Sequence, residues 1–346
     1  MNPYAKLVTL FSLALGTTIA TSSNHWAVTW TGLEINTLAI IPLISKPHHP
    51  RAIEAAIKYF LVQATASAII LLSSTINAWS TGQWDITQLT NHTSSLLLTT
   101  AIAMKLGLAP FHFWFPEVMQ GSPLTTALLL STLMKFPPLT ILLITSNSLN
   151  PPLLTTMAIT STALGGWTGL NQTQTRKIMA FSSISHMGWM ALIIIYMPKL
   201  TLLTFYLYIL LTTTVFLTLN SSNTVKLSTL MTSWVKNPPL NATLMLTLLS
   251  LAGLPPLTGF LPKWFIIQEL TKQEMTPTAL IISLLSLLSL FFYLRLTYYS
   301  TITLPPNTTN CMKHWHPNKM ANPLIAWLAS LSALLLPLSP VISTLT

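Results

Sequence analysis

Charged side chains are scarce in this sequence. Its 346 residues include only 16 Lys or Arg and 6 Asp or Glu, which is 6% of the chain, against roughly 25% in a soluble domain. A soluble globule needs a charged, hydrated surface, and this composition cannot supply one. The scarcity therefore excludes most soluble enzymes, nucleic-acid-binding proteins and disordered scaffolds, and we expect no nucleic-acid partner.

Cysteine is nearly absent. Cys311 stands alone, which excludes a disulfide within the chain. It also excludes an iron–sulfur cluster held by this chain alone, because such a cluster takes four thiolates. His48 and His49 lie in a loop with no third ligand nearby, so we predict no metal site there. Walker motifs, zinc-ligand spacings and nucleophile elbows are also missing from the sequence.

Long apolar runs fill most of the chain. A membrane-spanning helix needs about 20 mostly apolar residues, and we predict eleven such spans. The connections 79–94, 221–239 and 301–322 are interpreted as polar loops, and no soluble domain fits between the spans. The predicted spans are 3–22, 26–45, 55–78, 95–118, 124–146, 151–170, 177–197, 200–220, 240–271, 277–300 and 323–345.

Two of these spans contain helix breakers at their centres. The fourth contains Pro110, and the ninth contains Pro255, Pro256 and Pro262. Proline removes a backbone hydrogen bond and clashes with the preceding turn. At membrane depth such a break persists only where protein or water satisfies the freed backbone groups. A simple proline kink would explain either break alone, but paired broken helices indicate an ion pathway.

The basic residues are distributed unevenly between the two predicted sides. Two of them, Lys199 and Lys272, lie on the side opposite the N-terminus, and three lie inside spans. The positive-inside rule then places the N-terminus on the positively charged side and, with eleven spans, the C-terminus on the other. The eleven basic residues on the N-terminal side are Lys6, Lys46, Arg51, Lys58, Arg176, Lys177, Lys226, Lys236, Arg295, Lys313 and Lys319.

Four charged residues lie within or beside the spans. Glu34, Lys105 and Lys135 lie near the centres of their spans, and Lys263 follows the second break. A charge at the bilayer centre costs at least about 2.5–3.5 kcal/mol. Buried salt bridges that fix helix register are the structural alternative, but three lysines and one glutamate do not neutralise one another.

Proton transfer explains these four charged residues better than structural salt bridges do. Burial can lower the pKa of a lysine by up to about 3–5 units, toward neutrality, while a nearby carboxylate raises it again. Movement of a carboxylate toward or away from a lysine would therefore switch proton affinity. His112, after the first break, and His186, inside the seventh span, are candidate relays, although a hydrogen-bonded packing role is open for both.

Four segments together resemble the antiporter-like subunits of respiratory complex I. The resemblance covers essentially the whole chain. The segments are 30–36 (WTGLEIN), 105–114 (KLGLAPFHFW), 182–188 (SSISHMG) and 253–263 (GLPPLTGFLPK).

The resemblance implies roles for the charged residues and a fold. Glu34 and Lys105 match the family's coupling pair, Lys135 its central lysine and Lys263 the lysine after the second break. The implied fold is an all-α polytopic membrane protein with two inverted five-helix repeats, each holding one broken helix. We divide the chain into an N-terminal span at 1–22, a proton-translocating core at 23–287 and C-terminal spans with a loop at 288–346.

The resemblance also implies the setting in which the chain works. It predicts a subunit of H⁺-translocating NADH:ubiquinone reductase in the mitochondrial inner membrane. The N-terminus would face the matrix and the C-terminus the intermembrane space. FMN, iron–sulfur clusters and ubiquinone would belong to other subunits, with no redox chemistry in this chain. The expected partners are other membrane-arm subunits, including neighbouring antiporter-like ones, and the phospholipid bilayer.

Two alternatives stay open at this point. A self-standing cation/proton antiporter would need the same channel, and the short soluble connections weigh against it. A structural membrane subunit with no ion path is disfavoured by the four charged residues. The size of the particle after mild detergent extraction would separate a free antiporter from a subunit of a large assembly.

Overall fold

The computed structural model describes residues 3–45, 49–236, 238–301, 323–334 and 337. The described residues form helices joined by short connections, and they contain no β-strand beyond two isolated bridges. Cys311, His48, Lys46, Lys313, Lys319 and most of the second half of the predicted span 323–345 lie outside the described residues.

The helices form two compact units. Unit 1 comprises Met1–Ser161 and Ile194–Pro198, and unit 2 comprises Thr162–Ile193 and Lys199–Thr346. The first eight helices are α1 (Pro3–Ser22), α2 (Trp26–Ile44), α3 (Pro50–Thr81), α4 (His92–Leu106), α5 (Trp114–Gly121), α6 (Leu124–Ser131), α7 (Phe136–Ile144) and α8 (Pro151–Gly169). The remaining helices are α9 (Thr175–Ile193), α10 (Pro198–Ser222), α11 (Leu227–Lys236), α12 (Pro238–Ala252), α13 (Phe260–Lys272), α14 (Thr276–Thr301) and α15 (Pro323–Leu334).

Six candidate membrane spans among the described residues are long and apolar enough to cross a bilayer. They are Pro3–Ser22, Trp26–Ile44, Pro50–Thr81, Leu124–Ile144, Pro198–Ser222 and Thr276–Thr301. Two shorter apolar helices, Pro238–Ala252 and Pro323–Ser332, add to these. The helical, membrane-spanning character predicted from the sequence is confirmed, while the count of eleven spans stays a prediction.

Both predicted helix breaks are present. The fourth predicted span consists of α4 and α5 with residues 107–113 between them, and the ninth consists of α12 and α13 with residues 253–259 between them. Gly107 and Gly253 begin the two breaks with φ of +73° and +83°. Glycine adopts this left-handed conformation at no steric cost, so each helix can end abruptly there.

One predicted loop is wrong in part. Residues 221–239 were expected to form a polar connection, but α11 occupies much of that stretch. Its Leu227, Leu230 and Met231 recur at helical spacing, and Leu230 is buried. A search for apolar runs of 20 residues does not find a ten-residue amphipathic helix, because its apolar residues are interspersed with polar ones along the sequence.

Small residues bring α1 and α2 into close contact. A side chain on Gly32 would meet backbone atoms of Gly16 and Ala20 at about 3 Å. Likewise, a Cβ on Gly16 would overlap the amide of Asn36. Small residues four apart permit such close approach between apolar helices. This packing fixes the position of α2, which carries Glu34 and Asn36.

Candidate functional site

Lys105 lies in the last turn of α4, next to the first break. Its side chain is buried, with 4% of its surface exposed. The α4 helix ends at its cap residue Gly107, and the Leu108 amide donates to the Ala103 carbonyl at 2.9 Å. The Met104 carbonyl accepts from the Gly107 amide at 3.2 Å and from the Trp114 indole nitrogen at 3.2 Å. The break therefore fixes the position of Lys105 while leaving its own ammonium available.

A small cavity joins Lys105 to Lys135. Its volume is about 20 Å³, which is room for about one water molecule. Besides the two lysines, the polar residues of its wall include Asn36, Tyr59 and Gln63. The structure thus brings together two of the predicted lysines, and it adds three polar residues that the sequence analysis did not assign.

Asn36 is the most informative of these additions. It is 2% exposed, and neither atom of its side-chain amide has a hydrogen-bond partner in the part of the chain that the structure describes. The Lys105 Nζ is also without a hydrogen-bond partner among those residues. Unpaired buried polar groups are rare because each costs free energy. Two such groups on one cavity of this size provide the space and the polar partners that a bound water needs.

Glu34 does not form a direct ion pair with Lys105. Its carboxylate is half-buried and accepts hydrogen bonds from the hydroxyls of Thr37, at 2.9 Å, and Ser67 of α3. Lys105 and Glu34 are nevertheless close enough for their charges to interact. The direct form of the expected pair is therefore absent, and pairing through a water stays a prediction.

Lys135 lies where the predicted fifth span is distorted. A 3₁₀ turn, Leu133–Lys135, separates α6 from α7, and Pro137 and Pro138 follow it. Its side chain is buried and its Nζ lies 4.5 Å from the centre of the Phe115 ring. A cation over an aromatic face is stabilised electrostatically. We did not expect this distortion, although the Pro-Pro pair was a signal for it.

Lys263 lies in the first turn of α13, just after the second break, in unit 2. Its Nζ donates to the Ala252 carbonyl at 2.8 Å, at the C-terminal end of α12. It also lies 6.0 Å from the Trp189 ring. The C-terminal end of a helix carries partial negative charge, so an ammonium group is favoured there. The Lys263 ammonium therefore has a carbonyl at the helix break as its hydrogen-bond partner.

His186 joins Lys263 at a second cavity. This cavity measures about 30 Å³, and its wall also includes Tyr208 and Ser250. The His186 Nε2 lies 3.5 Å from the Tyr293 hydroxyl, which extends the set of polar groups away from Lys263. His186 and Lys263 are therefore brought together as candidate relay and proton-binding group. The sequence analysis missed Tyr208 and Tyr293 because tyrosines in apolar spans resemble packing residues.

His112 is less clearly placed for a relay. It lies in the first break and is 2% exposed, and its ring contacts Phe113 at a centroid distance of 4.2 Å. It does not line the cavity of Lys105. Among the described residues, no group of three or more His, Cys, Asp and Glu is placed to hold a metal ion.

Comparison with known proteins decides the family. The NADH:quinone oxidoreductase/Mrp antiporter transmembrane family matches residues 23–289, and the NADH dehydrogenase subunit 2 C-terminus matches 290–343. The NADH-ubiquinone oxidoreductase chain 2 of Struthio camelus is 75% identical over 342 residues, covering 99% of both chains, and that of Coturnix japonica is 71% identical over both full lengths. The chain belongs to the NADH-ubiquinone oxidoreductase chain 2 family. It is thus an antiporter-like subunit of the complex I membrane arm, as predicted.

Solved structures agree on the fold. A chain of the respiratory complex I of Thermus thermophilus has a TM-score of 0.85 and 27% identity, covering 97% of this chain and 80% of that one. The Mrp complex of a Dietzia species, with a TM-score of 0.80, is 18% identical over 87% of this chain and 61% of its own. The archaeal membrane-bound sulfane sulfur reductase, with a TM-score of 0.83, is 18% identical over 97% of this chain and 72% of its own. At that identity the last two support the antiporter-like fold alone.

Proposed function

We propose that this chain carries protons across the mitochondrial inner membrane through its buried lysines. Lys105, Lys135 and Lys263 bind and release the protons, and Glu34 modulates Lys105. The observation that supports this most directly is that each lysine lies at a helix distortion and lines a water-sized cavity. Lysines that only fixed helix register would be packed against counter-charges instead.

Each cavity carries out a separate part of the proton transfer. In unit 1, water held by Asn36 connects Lys105 with Lys135. In unit 2, Lys263 exchanges its proton with His186 through the second cavity, and Tyr293 extends this path. His112 serves as a further relay next to the first break. A proton needs a continuous chain of such groups, because each transfer covers only the length of one hydrogen bond.

Glu34 acts as the switch for Lys105. When the carboxylate approaches, the charged lysine is favoured, and when it withdraws, the proton is released. A change of two or three pKa units corresponds to roughly 3–4 kcal/mol, and moving one charge across 100 mV costs about 2.3 kcal/mol. The switch is therefore large enough to drive a proton against a membrane potential.

The driving reaction takes place in other subunits. FMN, iron–sulfur clusters and ubiquinone belong to them, and electron transfer from NADH to quinone reaches this chain through the membrane arm. The N-terminus faces the matrix and the C-terminus the intermembrane space, in agreement with the distribution of basic residues.

A self-standing cation/proton antiporter is the second candidate. The likeness to the Mrp complex favours it only at the level of the fold, since the two chains are 18% identical. A free antiporter would run near its own mass, or as a dimer, after mild detergent extraction. We expect this chain to run in an assembly many times larger.

Replacing Lys105 with Met tests the proposal. Methionine keeps the length and the apolar stem, so insertion should become easier once the buried charge is removed. We expect assembled complex at normal levels, with NADH-driven proton uptake into vesicles strongly reduced. NADH oxidation should fall as well, because one blocked element retards the coupled reaction.

Lys199→Met provides the matched control, because Lys199 is exposed and lies outside both cavities. It should leave proton uptake and assembly unchanged. Normal pumping by Lys105→Met at normal assembly would show that Lys105 does not carry protons. Loss of assembly alone would assign Lys105 a structural role.

A further inference from the structure

We propose that the Ser67 hydroxyl holds Glu34 away from Lys105 and so sets how often the two charges meet. The inference rests on the proposed function, in which Glu34 modulates Lys105, and it names the side chain that controls this step. Ser67 lies on α3 and is 2% exposed. It does not line the cavity of Lys105, so it acts through Glu34 as a positioning residue.

Two hydroxyls hold the Glu34 carboxylate from different sides. Ser67 donates to its Oε1, and Thr37 donates to its Oε2 at 2.9 Å. Thr37 belongs to the wall of the cavity that Lys105 lines, whereas Ser67 and Glu34 do not. Thr37 also lies on the same helix as Glu34, one turn later, while Ser67 lies on the neighbouring helix α3. Ser67 is therefore the partner that draws the carboxylate away from the cavity.

Each of these hydroxyls has two acceptors for its single proton. The Ser67 Oγ also lies 2.9 Å from the Ala64 carbonyl, and the Thr37 Oγ1 lies 2.9 Å from the Glu34 carbonyl. Both carbonyls accept the helical amide four residues later, so neither depends on the hydroxyl. When Glu34 moves, each hydroxyl can turn to its own helix, and no buried donor is left unpaired. The bond between Ser67 and Glu34 is therefore readily reversible.

The face of α3 explains why the hydroxyl at position 67 meets Glu34. Tyr59, Gln63 and Ser67 recur every four residues, which places them on one face of the helix. The first two line the cavity of Lys105, and Ser67 follows one turn beyond it. The same face of α3 thus supplies polar groups to the cavity and, next to it, the group that holds Glu34.

Lys105 is the charge that Glu34 can govern. Glu34 interacts electrostatically with Lys105 and with Tyr59, and a tyrosine is ordinarily neutral near pH 7. The titratable residues of α1 lie in its first turn, whereas its second half contacts α2. On α3, Lys58 pairs with Glu54 and Glu117. The titratable side chains on α2, on the helices that pack against it and on the cavity are His25, Tyr4, Lys6, Arg51, Glu54, Lys58, Tyr59, Lys105 and Lys135.

Loss of the Ser67 hydroxyl should move Glu34 toward Lys105. Thr37 would still hold the carboxylate on the side of the cavity, and the pull from α3 would be gone. A hydrogen bond to a charged group changes such an equilibrium by roughly tenfold or more. A carboxylate close to a lysine favours its charged form, so Lys105 would release its proton less readily. A tenfold change corresponds to about one pH unit.

The experiment measures NADH-driven proton uptake against pH in vesicles that contain the intact, purified complex. Ser67→Ala removes the hydroxyl, and Ser67→Thr restores it. Ser73→Ala is the matched control, because Ser73 lies on the same helix and is also buried, but its hydroxyl donates to the Ile70 carbonyl at 2.7 Å and not to Glu34. Lys105→Met is measured in parallel, and assembled complex is quantified for every variant.

We expect Ser67→Ala to assemble normally and to pump roughly tenfold more slowly at neutral pH. Its pumping should recover as the pH rises, so that its profile lies about one pH unit above the native one. Ser73→Ala and Ser67→Thr should keep the native profile. This result would show that the hydroxyl controls Glu34, because a purely structural serine would lower pumping equally at every pH.

Four results would overturn the proposal. They are a native profile in Ser67→Ala, an equal loss at every pH, a shift to lower pH, which would mean that Glu34 becomes protonated in place, and the same shift in Ser67→Thr or Ser73→Ala, which would assign the effect to packing. The parallel variant separates this failure from that of the proposed function. Impaired pumping by Lys105→Met with a native profile in Ser67→Ala would remove only the role of Ser67, whereas native pumping by Lys105→Met would remove the proposed function itself.

Discussion

In the described helices, most of the serine and threonine hydroxyls that form a hydrogen bond donate to a carbonyl one turn earlier in the same helix. Thr29 and Ser73, for example, donate to carbonyls three residues earlier, at 2.7 Å each. A hydroxyl can do this because its reach matches the helical turn. Buried amines and amides cannot, and the unpartnered Lys105 and Asn36 meet at one cavity. At the scale of the residue, two of the buried polar groups without a hydrogen-bond partner among the described residues therefore lie at the candidate site.

Asn36→Leu tests the water in the first cavity. The substitution removes the amide but fills a similar volume, and a hydrogen bond to a charged group contributes roughly 1.5–3 kcal/mol. We expect proton uptake per NADH to fall roughly tenfold or more, with assembly retained, because the water between Lys105 and Lys135 loses its support. Proton uptake is followed in vesicles that contain the purified complex.

The control for this substitution is Asn36→Ser. A hydroxyl leaves room for a second water and restores a polar contact, so pumping should recover in part. Equal pumping by Asn36→Leu and the native complex would remove Asn36 from the proposed path. A loss that serine fails to rescue would point to the contact with Gly16 instead.

Helix breaks were the elements best predicted from the sequence, because proline and glycine act locally. Pro110 and Pro255 marked both interruptions correctly. The 3₁₀ turn at Lys135 was not predicted from the sequence, because Pro137 lies at the start of α7, where a helix tolerates proline. The sequence analysis also did not predict which polar residues line the cavities with the lysines. Asn36 and Lys105 line one cavity because their helices pack together, and no spacing along the chain encodes which helices meet.

The glycines at the breaks give a prediction at the scale of the element. Gly253→Ala should impair pumping more than Gly107→Ala. Both residues have positive φ, and an alanine there costs about 1–2 kcal/mol. A Cβ on Gly253 would also lie 3.0 Å from the Lys263 Nζ, whereas on Gly107 its nearest atom is 3.5 Å away. The Lys263 contact with the Ala252 carbonyl should therefore weaken.

Gly82→Ala is the matched control for backbone strain. Gly82 ends α3 with the same φ as Gly107, +73°, and a Cβ there would meet nothing within 4 Å. All three variants should lose similar thermal stability from strain, but only Gly253→Ala should lose pumping beyond that. Equal pumping in the three variants would show that the position of Lys263 tolerates this displacement.

At the scale of the whole molecule, the distribution of basic residues predicts how the chain is oriented in the membrane. The uneven placement of basic residues and the two helix breaks predict a multi-span membrane protein with an ion pathway. The resemblance of four segments adds the antiporter-like subunit family, and the comparisons confirm that family. Some of the basic residues that predict the orientation, including Lys313 and Lys319, lie outside the described residues. The orientation and the count of eleven spans stay predictions.

Cys311 offers a direct test of topology, because it is the only cysteine of the chain. With eleven spans, we expect the connection 301–322 on the same side as the N-terminus, which the proposed orientation places in the matrix. A membrane-impermeant maleimide should therefore label this chain in vesicles that expose the matrix face. It should leave the chain unlabelled in sealed mitochondria without an outer membrane. Solubilised complex serves as the positive control, and labelling from the intermembrane-space face alone would contradict the eleven-span arrangement.

The central claim is that the buried lysines must titrate and not merely carry charge. Lys105→Arg tests it most directly, since arginine keeps the positive charge but cannot release its proton in a protein. Proton uptake per NADH oxidised is measured in vesicles for Lys105→Arg and Lys105→Met together, with assembled complex quantified in parallel. We predict that both variants assemble and that both lose most of their pumping. Native pumping by Lys105→Arg, with Lys105→Met impaired, would show that the charge alone suffices and would contradict the account.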